Sequence, residues 1–70
     1  MITITVASVP DREQLVAELW DEDVQFGELS QEEGQLVLEI YPRPDGLPWT
    51  FPFEDIQKAL ERVKGKLLEN

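Results

Sequence analysis

Cysteine and histidine are both missing from this 70-residue chain. Their absence removes disulfides, thiolate or imidazole ligands for zinc, Ser-His-Asp and Cys-His triads, and redox dithiols. No apolar run approaches the ~20 residues needed to cross a bilayer. The start, Met1-Ile2-Thr3-Ile4-Thr5-Val6, alternates instead of setting a solid apolar block behind a basic one, which predicts no secretory leader. Gly-rich phosphate loops and basic patches are absent as well. Bases are scarce: six against fifteen acids leave a net charge of −9. That balance argues against nucleic acid and anionic membrane as partners. Together these absences predict a soluble, cytoplasmic protein with no cofactor, no metal and no enzymatic role.

Seventy residues make one domain with one small core. A chain of this length buries only ~60% of the surface its unfolded form exposes, so it gains much from a staple or a partner. With no cysteine to supply the staple, self-association is a reasonable expectation. Charge is also unevenly placed. Residues 1–41 hold one base, Arg12, against ten acids, whereas residues 42–70 hold five of each. The whole imbalance lies in the part of the chain that reads as strands.

Ile2, Ile4 and Val6 alternate with Thr3, Thr5 and Ala7, as a strand with two unlike faces would. Val9-Pro10-Asp11-Arg12 reads as a turn. Leu15, Ala17 and Leu19 then alternate with Val16, Glu18 and Trp20, up to a charged tip at Asp21-Glu22-Asp23. Val24 to Gln31 and Gln35 to Tyr41 read as two further strands, joined at Glu33-Gly34. Tight turns at the three tips would pair Val6 with Leu15, Leu15 with Leu29, and Leu29 with Leu38. That register collects Ile2, Ile4, Val6, Leu15, Ala17, Leu19, Gly27, Leu29, Leu36, Leu38 and Ile40 on one face, with Gln25 as its misfit.

Three prolines and a glycine in Pro42–Trp49 stop the fourth strand. A helix is expected from Phe53, just after Pro52, with Glu54 and Asp55 suiting its N-terminus. Phe53, Ile56, Leu60, Val63 and Leu67 recur at helical spacing, beside Ala59. The expected architecture is therefore α+β. A four-stranded antiparallel meander (2–41) leads through a proline-rich connection (42–52) to one C-terminal helix (53–69) packed on the apolar face, in a ββββα two-layer domain spanning 1–70. Leu47, Trp49 and Phe51 would plug the end of that core, and Gly27 would let the helix approach closely.

The same register assigns Val16, Glu18, Trp20, Val24, Phe26, Glu28, Val37, Glu39 and Tyr41 to the outer face, with Glu28 opposite Glu39. Apolar patches of this kind mark interfaces, and Trp and Tyr are enriched where binding energy concentrates. Three uses compete. The side chains can shield one another as cross-strand pairs, they can form a homodimer seam, or they can bind a basic protein through carboxylates and aromatic rings. Asp21-Glu22-Asp23 lacks the spacing of a calcium loop and reads as a solvated tip. Glu28 and Glu39 on a flat face do not make a catalytic cleft.

The phrase Phe51-Pro52-Phe53-Glu54-Asp55-Ile56, after a strand and a proline-bearing loop, resembles the closing segment of small acidic bacterial immunity proteins. The likeness covers roughly residues 36–63, and the chain is also similar in style to short uncharacterised bacterial proteins. What the immunity resemblance implies is a non-enzymatic inhibitor that engages a toxin partner. The expected partner-binding set is Val16, Glu18, Trp20, Phe26, Glu28, Val37, Glu39 and Tyr41.

Overall fold

A computed structural model describes residues 1–8 and 15–68. Strands β1 (Ile2–Ala7), β2 (Val16–Asp21), β3 (Val24–Glu32) and β4 (Gln35–Ile40) form one antiparallel sheet in the order β1-β2-β3-β4. Helix α1 (Phe53–Leu68) packs on it, giving the expected ββββα layout. Among the described residues, no helix is long and apolar enough to cross a membrane. The expected turn at Val9–Arg12 and the helix end at 69 lie outside the described residues.

The β3–β4 hairpin has the expected register, with Leu29 opposite Leu38 and Gly27 opposite Ile40. Its two turn residues, Glu33 and Gly34, have φ of 52° and 81°. Positive φ at both central positions matches the right-handed twist of the flanking strands. The other two hairpins differ from expectation. Val6 faces Ala17, not Leu15, and Ala17 faces Leu29, not Gly27. Each shift is two residues, so every side chain stays on its expected face there. The tip between β2 and β3 is also tighter than expected, because Asp21 faces Val24. Only Glu22 and Asp23 turn, with Glu22 at φ 56°. The Met1 ammonium closes this end, donating to Glu22 Oε1 at 2.7 Å.

Within β3 the register breaks. Leu19 faces Gly27 while Trp20 faces Gln25, which leaves Phe26 as an extra residue. Such a bulge re-aims side chains locally. Gln25 moves opposite Trp20 and donates to Gly27 O at 3.2 Å, so the misfit of the simple alternation is removed from the apolar face. Phe26, expected on the outer face, turns into the core instead and is 1% exposed. Its ring lies 4.7 Å from that of Phe51 and 5.6 Å from that of Trp49. Val24, also expected outside, shares the face of Asp21 and lines a recess with Trp49.

Ala17, Leu19, Phe26 and Leu29 meet Val63 and Leu67 of α1 in the buried cluster, with Ile2, Ile4, Leu36, Ile56 and Leu60 around it. Gln31 Nε2 donates to Leu67 O at 3.2 Å and ties the end of α1 to β3. The helix packs along β1, β2 and β3, so the apolar face is covered unevenly. Leu38 and Ile40, expected in the core, are 43% and 51% exposed, and Val6, Leu47 and Phe53 are exposed too. The cause is width. One helix is ~10–12 Å across, whereas four strands at ~4.8 Å spacing present a wider face than it can roof. Gly27 is required by its neighbouring strand, not by the helix. A Cβ there would stand 2.7 Å from the Glu39 carbonyl oxygen and 3.2 Å from Ile40 Cδ1.

Candidate protein-binding face

Alternation along β2, β3 and β4 carries Glu18, Glu28 and Glu39 to the side away from the helix. Glu18 lies directly opposite Glu28, and Glu28 directly opposite Glu39. The two-residue shift between β2 and β3 is what brings Glu18 into line with Glu28. The result is a transverse row of three carboxylates on adjacent strands, continued on β1 by Thr5. Like charges directly opposed across strands are unfavourable.

Two aromatic side chains flank the row at one end. Trp20 follows Glu18 by two residues on β2, and Tyr41 follows Glu39 by two beyond β4. Trp20 Nε1 donates to Glu18 Oε1 at 3.3 Å, and Tyr41 Oη donates to Glu28 Oε2 at 3.0 Å. These bonds orient two of the carboxylates and fix the ring edges beside them.

The other end of this face is different. Val16 is 2% exposed and Ser30 is 5% exposed, although both sit outside the helix-side cluster. Val37, opposite Ser30, is half-buried. Of the eight expected partner-binding residues, the structure therefore brings Glu18, Trp20, Glu28, Glu39 and Tyr41 together at one end and sets Val37 at the margin. Val16 and Phe26 are sealed from solvent and present no contact surface, Phe26 because of the bulge. Gln25 joins the face unforeseen. Its signal was its polarity, since a glutamine on an apolar strand face is itself a sign of a register break.

The proline connection builds a recess of ≈ 230 Å³ between Asp21, Val24, Arg43, Pro44, Asp45 and Trp49. Its polar groups are engaged locally. Arg43 Nε bonds Asp45 at 3.1 Å, Arg43 Nη1 donates to Pro48 O, and the guanidinium lies 5.5 Å from the Trp49 ring centre. Trp49 Nε1 donates to Tyr41 O at 3.0 Å, which docks the connection against the end of β4. The recess thus serves to hold the chain as it crosses from sheet to helix. Among the described residues, no three acidic side chains are grouped to hold a metal ion. Comparison with known proteins gives no match: no family model, no curated protein and no solved structure corresponds to this chain.

Proposed function

We propose that this protein is a non-enzymatic binding module whose outer sheet face engages a basic protein. The observation that carries the reading is the row Glu18-Glu28-Glu39 across three adjacent strands. Beside lysine or arginine such a row is a source of affinity and of fast encounter. Trp20 and Tyr41 add flat, partly exposed surfaces suited to a cation or to the stem of a basic side chain. The resemblance of residues 36–63 to immunity proteins favours one form of this reading, an inhibitor that covers a basic toxin.

A homodimer seam through this same face fits less well, because it would bring two rows of carboxylates toward one another. The test is capture from native lysate by the immobilised full chain. A basic protein should be retained by the natural sequence, released by salt, and lost with Glu28→Lys or Trp20→Ala. An unchanged profile with both variants would sink the proposal.

A further inference from the structure

The open edge of β4 has a different chemistry from the acidic face. Tyr41 N–H donates to Phe26 O at 2.9 Å, so alternate residues back along β4, namely Glu39, Val37 and Gln35, direct their backbone groups toward β3. Leu36, Leu38 and Ile40 therefore direct theirs outward, each with one N–H and one C=O. Their side chains lie on the helix side, where α1 leaves Leu38 and Ile40 exposed. Gln35–Ile40 contains no proline, lysine or bulge, the usual devices that keep an edge from pairing.

We propose that two copies of this chain associate through β4, pairing antiparallel about Leu38 and leaving the acidic face open. The strand is complementary to itself in this register. Leu38 meets Leu38 of the partner subunit, and Leu36 meets Ile40 of the partner subunit on the helix side. Three pairs with two backbone bonds each use every outward group of these residues. On the outer side Glu39 falls opposite Val37 of the partner subunit, so no like charges are opposed. Centring on Glu39 instead would set that residue against itself. The other edge has less to gain, because Val6 is its one exposed large apolar side chain within β1, at 37%, against 43% for Leu38 and 51% for Ile40. Pairing extends the sheet sideways, so it adds apolar contact where a single helix is too narrow to supply it.

Each chain carries a charge of −9, so salt should strengthen this association by screening, opposite to its effect on a basic partner. Sedimentation of the full chain at rising concentration in high salt should show the mass climbing toward twice that of one chain. Leu38→Pro removes an outward N–H without touching the β3 ladder, and should hold the mass at one chain with an unchanged circular dichroism spectrum. Trp20→Ala should leave the doubling intact. Should Leu38→Pro unfold, hydrogen exchange on the natural sequence decides: the Leu36, Leu38 and Ile40 amides should slow as concentration rises, while Val37 and Glu39 should not. A single-chain mass throughout overturns the proposal. So does doubling that survives in folded Leu38→Pro, doubling lost in Trp20→Ala, or protection appearing at Ile2, Ile4 and Val6 instead.

Discussion

On one side of the sheet Ala17, Leu19 and Val63 are fully sealed. Across the same strands Glu18, Glu28 and Glu39 stand in a row of carboxylates, two of them held by Trp20 and Tyr41. The helix side is organised for stability and is least complete over β4, where Leu38 and Ile40 stay exposed. The outer side is organised around charge, and its ordered contacts, Trp20 to Glu18 and Tyr41 to Glu28, hold polar groups in place instead of burying area. A chain this small has about 4–10 kcal/mol of stability to work with. Under the proposed reading, opposed carboxylates on the outer face suit an arriving cation.

The sharpest way to test the division is to remove one aromatic ring from each side. Phe26→Ala deletes a buried ring packed on Phe51 and Trp49, and is expected to cost about 3–5 kcal/mol, comparable to the whole stability of the domain. Trp20→Ala removes a half-buried ring and one long hydrogen bond, and is expected to cost about 1 kcal/mol. Urea titration with fluorescence or circular dichroism compares the two. Equal losses would mean that the outer side is as much a core as the inner one.

Gly27→Ala probes the boundary between the faces. Its new methyl would meet the Glu39 carbonyl oxygen, a backbone atom fixed by the β3–β4 ladder. A loss of about 1–3 kcal/mol is expected, at the level of overpacked cores. By contrast Gly65→Ala, where nothing lies within 4 Å, should gain up to about 1 kcal/mol from helix propensity alone. If the two alanines behave alike in denaturant, strand crowding is not what demands Gly27.

Much of the helix side was legible in the sequence because period-two and period-3.6 patterns agreed on it. The β3–β4 register followed from Glu33-Gly34, whose turn geometry leaves little freedom. The bulge at Phe26 was not legible as such, since alternation assumes one residue opposite one residue. Its only trace was Gln25 landing on the apolar face. The exposure of Leu38 and Ile40 was missed for a different reason: periodicity says which way a side chain points, not whether a helix is wide enough to reach it. Alternation was enough to place Glu18, Glu28, Glu39, Trp20 and Tyr41 on the outer side, whereas Phe26 and Val16 are buried.

The smallest expected effect tests the meaning of the acidic row. Glu39 is exposed and lies opposite Glu28, so Glu39→Lys replaces a repulsive cross-strand pair by an attractive one. The hydrogen bond from Tyr41 to Glu28 is left in place. Stability should rise by about 0.2–1 kcal/mol at low salt. The gain should shrink as salt is added, because exposed charges are screened over about 8–10 Å near physiological ionic strength. Capture of a basic partner should fall in the same variant. Opposite movements of stability and binding are the signature of residues kept for recognition at a cost to the fold. If stability falls instead, the row is not a cost to the free protein. If both stay fixed, the three carboxylates are ordinary solvated surface, and the aromatic rings beside them must carry any recognition alone.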